Sequence, residues 1–73
     1  MAKKNSESVY RVTEIIGTSP VSWEEAAKNA VETAAKSLRD LRVAEVCKLD
    51  MKVDGGKVVE YRARVSLSFK YEA

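Results

Sequence analysis

The sequence predicts a single α+β domain with the element order strand, helix, strand, strand. Three observations carry this. Alternating, β-branched runs lie on both sides of one capped helical stretch, an Asp-Gly-Gly turn joins the last two runs, and 73 residues leave room for one domain.

The first run, Val9 to Ile16, is rich in β-branched residues and carries Tyr10. Gly17-Thr18-Ser19-Pro20 closes it, because Gly permits unusual dihedrals and Pro20 cannot continue a sheet ladder. Either face can be the buried one: Tyr10, Val12, Glu14 and Ile16, or Val9, Arg11, Thr13 and Ile15. The helix opens at Ser22-Trp23-Glu24-Glu25, a capping box in which the Ser22 hydroxyl accepts from the Glu25 amide and the Glu25 carboxylate reaches back. Val21 is placed to act as the staple residue before the cap, and the two early glutamates suit the positive end of the helix dipole. Trp23, Ala27, Ala30, Ala34, Leu38 and Leu41 then recur on one helical face, so the helix is expected to run to about Leu41. Most of that face is alanine, which lets a helix lie close against a curved sheet.

The third run, Arg42 to Val53, alternates: Val43, Cys47, Leu49, Met51 and Val53 are expected on one face with Glu45, and Arg42, Lys48, Asp50 and Lys52 on the other. Asp54-Gly55-Gly56 is a hairpin turn signal. In the fourth run, Val58 to Tyr71, an apolar face of Val59, Tyr61, Ala63, Val65, Leu67, Phe69 and Tyr71 opposes Glu60, Arg62, Arg64, Ser66, Ser68 and Lys70. Both arms of this hairpin exceed the usual strand length of ~5–6 residues. One helix cannot cover them, so the surplus sheet is expected to meet another copy of the chain.

Composition points the same way. A chain this small buries only about 60% of its unfolded surface and usually needs a staple. Cys47 is the single cysteine and there is no histidine, which excludes an internal disulfide and a zinc cluster and leaves partner subunits. Thirteen basic and 11 acidic residues give a net charge of +2, no case for broad nucleic-acid binding. Residues 1–8 read as a disordered polar tail ahead of a domain at 9–73. No stretch is apolar enough for a signal peptide or a membrane span, so a cytoplasmic protein with a reduced Cys47 is expected.

The ordered set Val9-Tyr10-Arg11-Val12-Thr13-Glu14-Ile15-Ile16-Gly17-Thr18-Ser19-Pro20, Ser22-Trp23-Glu24-Glu25-Ala26, Arg42-Val43-Ala44-Glu45-Val46 and Glu60-Tyr61-Arg62-Ala63-Arg64-Val65 resembles the dodecin family. The resemblance implies a β-α-β-β subunit whose three-stranded antiparallel sheet wraps around one helix. It also implies a hollow homododecamer that stores or sequesters a flavin, riboflavin or FMN, without acting as an enzyme. Candidate cofactor-binding residues follow by position: Val43, Glu45, Asp50, Arg62 and Lys70. Val43 stands where flavin-binding members carry a stacking tryptophan, and Arg62 where they carry a glutamine for the flavin's polar edge. Asp50 and Lys70 stand where some members place arginines available to phosphate, and only Lys70 keeps the charge. Asp50 would repel a phosphate, so riboflavin is favoured over FMN. The Arg42-Val43-Ala44 start and Asp50-Met51-Lys52-Val53-Asp54 resemble a branch associated with calcium instead, which wants six to eight oxygens. That branch gives the alternative reading, a structural or Ca2+-binding assembly without flavin.

Simpler roles compete with these. Trp23 is expected to pack in a core or interface rather than stack on a ligand. Cys47 has no histidine to activate it as a nucleophile. The stripe of Arg62, Arg64 and Lys70 fits either an anion site or a solvated network with acids such as Glu60 and Glu45.

Overall fold

The computed structural model describes residues 9–70; the tail expected at 1–8 lies outside them, as do Tyr71, Glu72 and Ala73. The elements are β1 (Tyr10–Ser19), α1 (Trp23–Ala35), β2 (Leu41–Asp54) and β3 (Lys57–Lys70). All three strands form one antiparallel sheet in the order β1-β3-β2, with the helix across one face. The expected β-α-β-β, α+β architecture is the observed one.

Opposed residues of an antiparallel pair share a face, so the register sorts the side chains. Thr13 opposes Leu67, Ile15 opposes Val65 and Gly17 opposes Ala63, which puts this set on the helix side of β1. The open choice between the two faces of β1 is thereby resolved in favour of Ile15. The core is small: Ala26, Ala30 and Ala34 of α1 lie on Ala63, Val65 and Leu67 of β3. The alanines allow the close approach, and Gly17 requires it. A Cβ built on Gly17 would collide with the Ala26 carbonyl oxygen and stand 2.8 Å from the Ala30 Cβ.

Several local expectations need correction. Gly17-Thr18-Ser19 does not break β1, which stays paired through Ser19 opposite Tyr61. Here Gly serves proximity to the helix rather than a turn. Ser22 caps the helix as expected, accepting from the Glu25 amide at 3.0 Å. The reciprocal bond of the capping box is absent, and the Ser22 amide faces the buried Ser19 hydroxyl instead, at 3.4 Å. Ser19 also accepts from the Val21 amide at 2.9 Å. Val21 is 67% exposed and staples nothing. The helix stops at Ala35, short of Leu41: Leu38 closes back on the Ala34 carbonyl, and Asp40 turns left-handed at φ 57°. Asp is among the few residues with a side chain that tolerates that conformation. The turn frees Leu41 to start β2, and the Lys70 amide donates to the Asp40 carbonyl at 3.1 Å.

The even alternation expected along β2 is interrupted at Leu41/Val43 and Val46/Lys48, where β2 carries the extra residue; the third register shift, at Lys52/Val53, comes from an extra residue in β3, Val59. Val43 and Glu45 oppose Ser68 and Ser66, while Leu49 and Met51 oppose Ala63 and Tyr61. Val43 and Glu45 therefore face away from the helix and Leu49 and Met51 toward it, with Cys47 as the extra residue between the sets.

The hairpin outruns its cover. Thirteen helical residues span about 20 Å, whereas a strand of 14 residues spans about 46 Å. The described residues extend over 58 × 20 × 15 Å with a radius of gyration of 15.3 Å, against about 11 Å for a compact chain of this length. Val53, Val58 and Val59 remain exposed toward the hairpin end, and Val46, Leu49 and Met51 remain exposed beside the helix on the edge strand β2.

Candidate functional site

The sheet face turned away from the helix collects all five candidate residues. β3 runs through its middle with Lys70, Ser68, Ser66, Arg64, Arg62 and Glu60 in sequence. Across it the register builds rows: Val12–Ser68–Val43, Glu14–Ser66–Glu45, Ile16–Arg64–Lys48 and Thr18–Arg62–Asp50. Lys70 lies opposite Tyr10 at one end.

Two of the five meet directly. The Arg62 Nε donates to one Asp50 oxygen at 2.8 Å and Nη2 to the other at 3.2 Å. The fork matches the carboxylate edge to edge, the geometry in which Arg binds most selectively. The hydrogen bond from Arg62 holds the Asp50 carboxyl below its ordinary value, and the same bond raises Arg62. Both stay charged at neutral pH. From the opposite face, Trp23 pins the same point of β2: its indole N–H donates to the Asp50 carbonyl at 3.0 Å, and its ring meets Tyr61 edge-on at 5.1 Å. Trp23 thus packs, as expected, and also fastens the helix start to β2. Arg64 turns the other way, to Glu14 on β1, at 3.4 Å. Two members of the charged stripe, Arg62 and Arg64, are paired, with Asp50 and Glu14 rather than with Glu60 and Glu45, while Lys70 is in no ion pair among the described residues.

The other candidates lie apart. The Val43 row is six residues of β3 from the Arg62 row, about 20 Å along the strand. No single ring system touches both within one subunit. Val43 is 54% exposed and offers an apolar wall without a π-face. A flavin therefore does not fit these residues inside one chain: the donor is engaged and the wall is distant. Calcium fares no better there. Asp50 and Asp54 stand four residues apart, about 13 Å, and Asp50 is already held by Arg62. Among the described residues no three of His, Cys, Asp or Glu come close enough to hold an ion. Either ligand would need groups from more than one copy.

The Asp50–Arg62 pair was not foreseen. The turn pairs Asp54 with Lys57, and counting back evenly would oppose Asp50 to Tyr61; the shift at Lys52/Val53 moves it to Arg62. The bond from Trp23 to Asp50 across the sheet also left no signal in the periodicity. No helix among the described residues is long and apolar enough to cross a membrane.

Comparison with known proteins places this arrangement in context. The Dodecin family model matches residues 9–72. Calcium dodecin from Mycobacterium tuberculosis is 52% identical over 63 residues, covering 86% of this chain and 89% of the relative. A crystal structure of that calcium dodecin, described as calcium chelating with a novel calcium-binding site, superposes with a TM-score of 0.77 over 88% of this chain and 91% of the other. Dodecin from Streptomyces coelicolor, 37% identical, superposes with a TM-score of 0.83 over 89% of this chain and 93% of its own.

Proposed function

This chain belongs to the dodecin family, and from that premise we propose that it is the subunit of a closed homododecamer, a non-enzymatic binding shell whose cargo is Ca2+ rather than a flavin. The observation that supports assembly is the bare hairpin: Val46, Leu49 and Met51 sit on the helix side of the sheet with no helix over them. Exposed apolar surface of this extent calls for a partner, and a copy of the same chain presents the same need. For the cargo, the support is the closed Asp50–Arg62 pair together with Val43 in place of an aromatic platform. Likeness to a calcium dodecin at 52% identity favours the same reading. Glu45 makes no ion pair among the described residues and lies beside Ser66, so it is the carboxylate best placed to join others across a junction between copies.

Riboflavin binding is the second reading, favoured by the exposed Val43 wall and by Lys70, which is also in no ion pair among the described residues. A π-face would then have to come from a second flavin or another copy. Light scattering should give one species near twelve times the 8.1 kDa subunit mass. Calorimetric titration of chelator-treated protein should show Ca2+ uptake that Glu45→Gln diminishes. A folded monomer at micromolar concentration would refute the assembly. Tight riboflavin binding, with quenching and without Ca2+ uptake, would replace the ion by the flavin.

A further inference from the structure

We infer that the Asp50–Arg62 pair is a charge lock that turns the outer face of the sheet against anionic ligands, and that Asp50 is the residue that sets this specificity. Arg62 stands on the central strand, in the middle of the face. Arg64 occupies the next outward position on β3, and Lys48 opposes Arg64 from β2. Three cations thus gather in two neighbouring rows, an arrangement suited to a phosphate. Two carboxylates disarm it. Glu14 takes Arg64 at 3.4 Å, and Asp50 takes both forward donors of Arg62 at 2.8 and 3.2 Å. With Asp50 neutral, Arg62 would present an empty fork beside Arg64 and Lys48, with Glu14 on Arg64 and Glu60 and Glu45 in the flanking rows as the remaining negative charges.

The lock is held in place from below. The β2 backbone is fastened at Asp50, because its carbonyl accepts from the Trp23 indole at 3.0 Å. The register shift at Lys52/Val53 brings it opposite Arg62 in the first place. In the single subunit the two side chains are 41% and 46% exposed, so the pair is open to solute rather than sealed in the core. At that exposure an ion pair adds little to stability, which leaves the local potential as the property it chiefly governs. The inference goes beyond the calcium reading and does not depend on which cation, if any, the shell takes up.

The test uses the assembled protein with FMN and riboflavin as probes that differ by a phosphate, followed by fluorescence titration at fixed ionic strength. Wild type should bind FMN no more tightly than riboflavin. Asp50→Asn should raise FMN affinity about tenfold relative to riboflavin, the scale of one charge-assisted hydrogen bond, and added salt should erode the gain. Asp50→Asn combined with Arg62→Gln should return the ratio to that of wild type. Asp50→Ser gives the same reading if the asparagine variant fails to assemble by light scattering. The inference is overturned if wild type already prefers FMN, if FMN fails to bind once Asp50 is neutral, or if the gain persists without Arg62. None of these readouts involves calcium, so a failure of the lock is distinct from a failure of the ion-binding reading.

Discussion

Replacing Gly17 by alanine tests how tightly the helix is seated. Gly17 lies in β1 opposite the fully buried Ala63, with ordinary strand geometry rather than a left-handed one. On backbone grounds alone Gly→Ala in such a place should stabilise by about 0.4–1 kcal/mol, because it restricts the unfolded chain. The surroundings reverse the sign. The new methyl would collide with the Ala26 carbonyl, meet the Ala30 Cβ at 2.8 Å and the Ala30 amide at 3.0 Å. None of these is the end of a flexible side chain, so no rotamer change relieves the clash. Either α1 lifts from the sheet or β1 bows away, and Ala26 and Ala30 lose their packing on Ala63 and Val65. Overpacking of this kind costs about 1–3 kcal/mol. The rigid contacts place it at the upper end, and about 2–3 kcal/mol corresponds to a fall in Tm of ~10–20 °C for a domain of this size. Thermal melts followed by circular dichroism at one fixed protein concentration are the assay, since assembly makes Tm concentration-dependent. An unchanged or raised Tm would refute the close approach of α1 to β1.

Other perturbations have definite expected outcomes. Ser22→Ala removes the acceptor for the Glu25 amide and should cost about 0.5–2 kcal/mol, read as a lower Tm; no change would mean that Ser19 alone caps the turn. Trp23→Phe keeps the ring but leaves the Asp50 carbonyl without its donor, at a cost of about 1 kcal/mol in chemical unfolding, and Trp23→Tyr should not rescue it if the indole N–H is the cause. Acid melts test the ion pair. The folded-state pKa of Asp50 is depressed, so its contribution is present above the ordinary carboxylate range and is lost as pH falls through the folded value. Wild type should therefore lose Tm below about pH 4 slightly more steeply than Asp50→Asn, and coincident acid profiles would show that the pair contributes nothing to stability.

The sequence carried the element order because each element has its own local signal. Ser22 with two glutamates marks a helix start, Asp54-Gly55-Gly56 marks a hairpin, and the even alternation of β3 marks a strand with one apolar face. β3 is the central strand, and its pattern was legible from Glu60 to Lys70; Val59, expected on the apolar face, is instead the extra residue at the shift opposite Lys52/Val53. The edges were harder. Gly17 looked like a strand breaker because glycine has two uses, and only the position of Ala26 and Ala30 in space distinguishes a turn from a close approach. The helix end was missed for a similar reason. Leu38 and Leu41 continue the helical spacing, yet Leu38 packs on the core after the helix has stopped and Leu41 packs from the start of β2.

The candidate site was legible as a set of residues but not as a geometry, and the cause is the three register shifts between β2 and β3. A period of two assigns faces only while the count is unbroken. Each extra residue exchanges the faces beyond it, so Val43 and Glu45 passed to the outer face while Leu49 and Met51 stayed inside. The last shift has the largest chemical consequence. Without it Asp50 would oppose Tyr61, and Arg62 would have a free fork on a face rich in cations. With it the two charges cancel, the outer face carries its ion pairs internally, and Val43 is left about 20 Å away with nothing in its own subunit to complete a stacking site. A ligand that needs both positions must bridge copies of the chain, and the bare hairpin needs copies for its own burial. On the proposed reading, assembly and binding are therefore one requirement. A variant that blocks assembly, such as Met51→Lys on the uncovered stretch of β2, should abolish uptake of Ca2+ or riboflavin together with the dodecamer. Ligand binding by a folded, dispersed subunit, measured by calorimetry and light scattering on the same sample, would refute that coupling.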